Sequence, residues 1–267
     1  MKKIYTIVLM AAAAFSLASC SLFELDNYDA PEETLFGKVT DAQGKPVLTD
    51  QGSEGIRIRL TETSWQGNVT PQDFYCRPDG TFTNTKLFEA DYNIRIDGPF
   101  IPLVRTTGDG TLLADESVNT HIKGETEVNF VVQPFLNVEL VEIPQAAGGK
   151  ITAKVKVTRN VSKEDFKTKI EPMGGYSDDF VNVTDIQLFV SYSSSVGYRA
   201  RDDRWSSSID YPGASFEDLL GTEVSISSNG AIPSGRKVYV RAAARINYAT
   251  ENVRRWNYSE PIEVYIP

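Results

Sequence analysis

The chain has 267 residues, of which 41% are hydrophobic and 24% charged, a composition typical of globular rather than disordered proteins. Its formal net charge of −9 gives it no electrostatic reason to bind nucleic acid or anionic lipid headgroups. Two cysteines and one histidine are too few for a disulfide-stabilised scaffold or for the usual zinc ligand sets.

The first 20 residues have the layout of a secretory signal. Two lysines precede an apolar run over 4–18, which at about 15 residues is shorter than the roughly 20 that a membrane-spanning helix needs. The run ends in Leu-Ala-Ser-Cys, which resembles the lipobox of bacterial lipoproteins. The resemblance implies that residues 1–19 are a signal peptide and that Cys20 is acylated, so that the membrane is contacted through this lipid. The alternative is an ordinary signal peptide in which the cysteine stands by chance.

The next segment changes from an acidic linker to a strand pattern. Residues 20–33 contain five acidic residues and are predicted to form a tether. Between 34 and 142, apolar and polar residues alternate with period two in short segments, for example 56–61 and 92–97, separated by turn sequences. No stretch of 34–142 has a sustained helical period. The pattern predicts a β-sandwich.

The same region contains the spaced pattern G-x-V-x-D-x-x-G-x-P, followed by a D-G-x-F turn and a Y-x-I strand. These positions are Gly37, Val39, Asp41, Gly44, Pro46, Asp79, Gly80, Phe82, Tyr92 and Ile94. Their order resembles the carboxypeptidase-regulatory-like module. The resemblance implies a transthyretin-like sandwich that is not catalytic.

A Pro-Gln-Ala-Ala-Gly-Gly stretch at 144–149 interrupts the alternation and predicts a hinge, with the module boundary between 142 and 143. In the following region, 143–267, residues 160–182 are predicted to be an irregular loop. Residues 215–221 are predicted to be a short helix, since the serine at 215 can cap its start, acidic residues fill its first turn and the glycine at 221 ends it.

The end of the chain resembles a second known module. An Ile-Pro-Ser-Gly turn leads into an apolar strand at 236–246, and Tyr-Ser-Glu-Pro follows at 258–261. These resemble the F strand and the start of the G strand of fibronectin-type-III-like modules. The predicted fold class is therefore all-β, with two consecutive antiparallel β-sandwich modules of immunoglobulin or transthyretin type after the signal peptide.

No motif indicates catalysis. The chain has no Gly-x-Ser-x-Gly elbow, P-loop or dinucleotide fingerprint, and His121 has no cysteine or second histidine spaced to share a metal ion. With 36 acidic residues, some pair of carboxylates is always available, so such pairs are not informative. We therefore predict no enzyme activity, no cofactor and no metal.

Three tryptophans stand in polar, turn-like surroundings, at 65, 205 and 256. Sugar rings can stack on such side chains while neighbouring polar groups bond their hydroxyls. The candidate glycan-binding residues are Trp205, Tyr211, Trp256, Arg204 and Asn257. The alternatives are a tryptophan at the edge of the core or an Arg–Trp cation–π pair.

The order of signal, tether and two modules resembles Bacteroidetes-type surface lipoproteins of unknown function that are often encoded beside glycan-uptake systems. The resemblance implies an outer-membrane, surface-exposed protein whose partners are a glycan and an outer-membrane uptake complex. A second class is a structural or adhesive spacer that binds partner proteins. Exposed aromatic residues on loops at one end favour glycan binding, whereas aromatic residues buried between the modules favour the spacer.

Overall fold

The computed structural model describes residues 30–267, so the predicted signal peptide and Cys20 lie outside the described residues. The all-β prediction is confirmed, because 46% of the described residues are in strands and 8% are in helices. Among the described residues, none forms a helix with the length and apolarity that a bilayer crossing requires.

Within residues 30–133 the chain forms ten short strands, which we call the first module. They are β1 (Glu33–Thr40), β2 (Arg57–Glu62), β3 (Gln72–Tyr75), β4 (Thr81–Leu87), β5 (Ala90–Asp97), β6 (Val104–Thr106), β7 (Leu112–Asp115), β8 (Val118–Ile122), β9 (Glu125–Glu127) and β10 (Phe130–Val131). One sheet has the order β3-β2-β5-β8, and the other has the order β10-β1-β4 with β9 also paired to β1. The pairs of β1 with β9 and β10 are parallel and the others are antiparallel. β6 and β7 form a separate hairpin.

Residues 134–267 form nine strands and one α-helix, which we call the second module. They are β11 (Leu136–Leu140), β12 (Gln145–Ala147), β13 (Lys150–Arg159), α1 (Lys163–Ile170), β14 (Val183–Ser191), β15 (Ser207–Asp210), β16 (Glu223–Ser227), β17 (Arg236–Ile246), β18 (Asn257–Tyr258) and β19 (Ile262–Ile266). One sheet has β13 at its centre, bonded to β11, β12 and β16, and the other has the order β15-β14-β17, with β18 and β19 both paired to β17.

Each module has its own hydrophobic core, as the period-two pattern requires. In the first module, Ile58 and Leu60 of β2 pair with Ile96 and Ile94 of β5, and all four side chains are buried. Gly37 in β1 has no room for a side chain, because a Cβ there would lie 1.8 Å from the carbonyl oxygen of Val128. The glycine at the start of the carboxypeptidase-regulatory-like pattern therefore permits close packing of β1 against the neighbouring chain.

The structure corrects the predicted position of the module boundary. Residues 136–140 were assigned to the first module, but β11 pairs with β13 and so belongs to the second. The 144–149 stretch was predicted to be a hinge, but β12 pairs with the start of β13 in a hairpin that turns at Gly148 and Gly149. Apolar alternation is similar on both sides of this stretch, so only strand pairing shows which module each strand joins.

Two helix assignments also change. The 160–182 segment contains α1, which Ser162 caps by accepting a hydrogen bond from the Asp165 amide at 3.0 Å, and whose buried residues are Phe166 and Ile170. Two buried residues in one short helix are too few to produce a visible helical period. The helix predicted over 215–221 is reduced to a single 3₁₀ turn at Glu217–Leu219.

Candidate functional site

The two tryptophans proposed for stacking lie in the interior. Trp205 is 3% exposed and belongs to the core of the second module, and Trp256 is 1% exposed in a separate cluster with Phe189 and Tyr258. Their ring faces are covered by protein and so are closed to a sugar. The expectation that these rings share one exposed face is therefore wrong.

The other candidates are also committed to internal contacts. Tyr211 packs on Phe216 with ring centroids 4.7 Å apart, and the buried Asn257 donates from Nδ2 to the Pro99 carbonyl at 3.1 Å. Arg204 is exposed, but Asp202 accepts two hydrogen bonds from its guanidinium, which lies 4.8 Å from the Trp205 ring centroid. The contacts of Trp205 thus fit both alternatives, a tryptophan packed into the core and an Arg–Trp cation–π pair.

The contacts of Trp256 lead to the surface between the modules, which we call the junction. Its cluster includes the partly buried Leu48 of the first module. At the centre lies Arg241, which is buried and donates to the carbonyls of Thr49 at 2.8 Å and Pro78 at 3.2 Å in the first module. The same guanidinium donates to the carbonyls of Val196 at 3.3 Å and Ser259 at 2.8 Å. One side chain therefore ties loops of both modules together.

A second buried arginine and a buried carboxylate complete the junction. Arg255 donates to the Ser53 carbonyl at 2.6 Å and to the Gly55 carbonyl, both in the first module. Asp50 accepts a hydrogen bond from the Arg199 amide at 2.9 Å, and burial raises the pKa of its carboxyl while that bond opposes the rise. Burial also lowers the pKa of Arg241, because desolvation disfavours its charged form. The junction thus combines an apolar cluster around Trp256 with buried hydrogen bonds from Arg241 and Arg255 to carbonyls of the first module.

Exposed aromatic side chains occur instead at the opposite end of the first module. Trp65 lies on the loop between β2 and β3 and is 57% exposed, and Phe88 lies between β4 and β5 and is 47% exposed. Just beyond the end of β2, the Thr63 amide donates to the carbonyl of Asp91, near the start of β5, at 2.7 Å. Trp65 follows Thr63 closely in the sequence and Phe88 precedes Asp91 closely, so both lie near this point. We call this end, with Trp65, Phe88, Glu89, Asp91 and His121, the aromatic tip.

The polar groups of the aromatic tip form one network. His121 Nδ1 lies 2.9 Å from an Asp91 oxygen, and His121 Nε2 lies 3.3 Å from Glu89 Oε1. Lys123 also donates to Glu89 Oε1, at 2.8 Å. The hydrogen bond to Asp91, followed by that to Glu89, raises the pKa of His121, and the bond from Lys123 lowers the pKa of Glu89. Carboxylate acceptors therefore stand beside an imidazole that favours its charged form, all accessible to solvent.

Trp65 is one of the three tryptophans with polar sequence neighbours, but it was not among the predicted glycan-binding residues. Its neighbours, Ser-Trp-Gln-Gly-Asn over 64–68, are polar and glycine-containing, which indicates a loop without apolar cover. The other two tryptophans also have polar neighbours in sequence, so this signal alone does not separate an exposed ring from a buried one.

None of the described residues forms a cluster of three or more potential metal-binding side chains.

Comparisons with known proteins agree with this architecture. Residues 33–133 match a family model described as the N-terminal domain of a protein of unknown function, DUF3823. No curated protein matches the chain. The solved structure of a DUF3823 family protein from Bacteroides uniformis is 66% identical, with a TM-score of 0.86, and the match covers 89% of this chain and 100% of that one.

More distant structures share the fold. A DUF3823 family protein from Parabacteroides merdae is 20% identical with a TM-score of 0.59, and a "putative carbohydrate binding protein" from Bacteroides uniformis is 18% identical with a TM-score of 0.63. Each match covers 88% of this chain and 100% of the other. The resemblance to a Bacteroidetes family of undefined biochemistry is confirmed, and with 66% identity over nearly all of its described length, this chain belongs to the DUF3823 family.

Proposed function

We propose that this protein is a lipid-anchored, non-catalytic protein of the outer-membrane surface that binds carbohydrate at the aromatic tip, as an accessory to a glycan-uptake complex. The observation that carries the proposal is the exposure of Trp65 beside a network of carboxylates. A solvent-facing indole offers a flat apolar surface to a sugar ring. Carboxylates at the same end of the module can accept hydrogen bonds from sugar hydroxyls.

Two further observations support this function. The chain shares its fold with the protein described as a "putative carbohydrate binding protein". The aromatic tip is also where the described chain begins, since Glu33 at the start of β1 pairs with Leu87 and accepts a hydrogen bond from the Gly124 amide. If Cys20 is acylated, the predicted tether of 20–33 leaves from this end, and the 13 residues that follow Cys20 set its reach. At about 3.5 Å per residue it reaches at most about 45 Å, which keeps the aromatic tip close to membrane-embedded partners.

The binding test compares two exposed aromatic residues. The lipid-free chain 21–267 and its Trp65→Ala and Tyr265→Ala variants are applied to a glycan array, and each hit is quantified by calorimetry. Tyr265 is a matched control because it is 59% exposed but lies on β19 of the second module. Loss of one stacking platform costs about 1–3 kcal/mol for nucleic-acid bases, so we expect about tenfold or greater weakening in Trp65→Ala alone. Equal affinity in both variants would refute the aromatic tip as the site.

The anchor is tested separately. Cys20→Ala should release the protein from the membrane fraction, because the lipid supplies the proposed membrane contact. A variant that stays in the membrane fraction would contradict the anchor but not carbohydrate binding.

The junction favours a second candidate function, a spacer that holds partner proteins away from the membrane. Trp256 is buried beside Leu48 of the first module, and Arg241 bonds carbonyls of both modules, as a stiff two-module arm requires. A spacer predicts no glycan binding on the array, together with loss of partner assembly when the junction is weakened. Glycan binding that depends on Trp65 would exclude the spacer as the sole function.

A further inference from the structure

A concave surface lies at the other end of the first module, where it meets the second. Two cavities of about 400 and 320 Å³ adjoin there, since Gln43 of the first module and Asn160 of the second line both. Volumes of this size are typical of ligand sites. We call the combined cavity the inter-module cleft.

Cationic side chains line this cleft without carboxylate partners. Lys169 of α1 donates to the side-chain oxygen of Gln133 at 2.6 Å, Lys45 donates to that of Asn137 at 3.3 Å, and Arg105 donates to the Pro102 carbonyl at 2.9 Å. Within residues 30–267, none of the three lies within ion-pair distance of an acidic group. Their charges therefore remain uncompensated by direct contact, in a chain whose net charge is −9.

The two acidic residues of the cleft do not reverse this balance. Asp41 uses Oδ1 to accept hydrogen bonds from the Gln43 and Lys45 amides and so holds its own turn together. Glu116 is solvent-exposed, as is Lys45, so solvent screens these two opposite charges alike. Three cations against two carboxylates leave the cleft positive on a negatively charged protein.

The remaining lining suits a polyhydroxylated chain. Five carboxamides line the cavities, and a carboxamide can both donate and accept hydrogen bonds. They are Gln43, Gln133, Asn137, Asn160 and Asn257, of which Asn257 is already bonded to the Leu136 amide and the Pro99 carbonyl. Val131, which is 60% exposed, adds an apolar surface against which the carbon face of a sugar ring can pack.

We propose that the inter-module cleft binds an anionic oligosaccharide, whose carboxylate or sulfate groups pair with Lys169, Arg105 and Lys45. The proposal rests on the proposed function only in taking a saccharide as ligand, because its residues are distinct from those of the aromatic tip. The ammonium groups of Lys169 and Lys45 already point at neutral carboxamide oxygens. A carboxylate or sulfate oxygen of a ligand would accept a stronger, charge-assisted hydrogen bond from the same ammonium groups.

The test measures binding of three tetrasaccharides to the chain 21–267 by calorimetry. They are oligogalacturonate, the same chain fully methyl-esterified, and a sulfated tetrasaccharide. We expect at least one anionic probe to bind about tenfold or more tightly than the ester, with an affinity that falls as NaCl is raised. Lys169→Gln should weaken that binding several-fold. Lys167→Gln should not, because Lys167 lies on the same helix but faces Glu171 and Asp178 instead.

The outcomes separate the two proposals. The cleft proposal is overturned if neither anionic probe binds, if the ester binds as well as the acid, or if the two lysine variants behave alike. Anionic binding that is lost in Trp65→Ala but retained in Lys169→Gln overturns the cleft and supports the aromatic tip. Anionic binding that requires Lys169, with no Trp65-dependent binding on the array, supports the cleft and refutes the aromatic tip.

Discussion

Replacing Arg241 by methionine tests whether the junction stabilises the whole molecule. Methionine replaces the aliphatic stem of the side chain but removes every donor that Arg241 directs at the four carbonyls. One of them, the Pro78 carbonyl, still accepts a hydrogen bond from the Thr49 amide at 3.1 Å. After the substitution, the buried carbonyls of Thr49, Val196 and Ser259 lack the hydrogen bond that the guanidinium donated. The Pro78 carbonyl keeps its hydrogen bond from the Thr49 amide.

The expected loss follows from those three carbonyls. A buried acceptor without its donor costs about 1–3 kcal/mol, and we take the lower limit for each of the three carbonyls. The free energy of unfolding should thus fall by about 3 kcal/mol. For a chain of this size, that corresponds to a decrease in Tm of about 6–12 °C. The lower limit is appropriate because the substitution also removes the buried charge of Arg241, and relief of its desolvation cost offsets part of the lost stability.

The assay is urea unfolding followed by tryptophan fluorescence, with thermal unfolding as a second readout. Arg236→Met is the matched control, because Arg236 starts the same strand but is exposed. A surface substitution of this kind usually changes stability by no more than about 0.5 kcal/mol. If Arg241→Met is no less stable than Arg236→Met, then Arg241 does not stabilise the molecule through the junction.

Three further predictions concern single side chains. His121 is the only histidine, so NMR titration of the chain 21–267 reports its pKa directly. That pKa should exceed 6.5 and fall towards it in Asp91→Asn, and an unchanged value would remove Asp91 as the cause. Since folding raises this pKa, the stabilisation is complete below about pH 6.5 and is lost as pH rises through the folded value. Trp256→Ala should lower the free energy of unfolding by about 3–5 kcal/mol in denaturation experiments, without changing glycan affinity in the protein that remains folded. A stable variant with weakened glycan binding would restore Trp256 as a ligand residue. Cys76 is buried and burial raises its thiol pKa, so a thiol reagent should label it only after urea unfolding. Rapid labelling of the native chain would contradict this prediction and show that the core of the first module opens.

The strands could be predicted because their signal is local. Residues 56–61 and 92–97 alternate in the sequence, and the structure pairs them as β2 and β5 with their apolar side chains inward. Alternation specifies which face of a strand is buried, but it does not specify which strand will be the neighbour. For this reason the all-β class was predictable, whereas the assignment of β11 to the second module was not.

The candidate site was less predictable, because burial of a loop residue depends on parts of the chain far away in sequence. Trp65, Trp205 and Trp256 all have polar neighbours in the sequence, yet only Trp65 is exposed in the structure. Trp205 packs edge-on against Tyr192, with ring centroids 5.1 Å apart, and Trp256 against Phe189 at 6.1 Å. The class of fold and the expected lipid anchor could be inferred from the sequence alone, since both depend on local patterns.

How the modules join and which side chains face solvent depend on contacts between distant parts of the chain. Arg241 stands among alanines and valines of β17, where an arginine would normally be expected to reach solvent. Its carbonyl partners Thr49 and Pro78 lie 192 and 163 residues away along the chain. Hydrogen bonds over such separations exist only after both sandwiches have folded and met, so no local pattern encodes them.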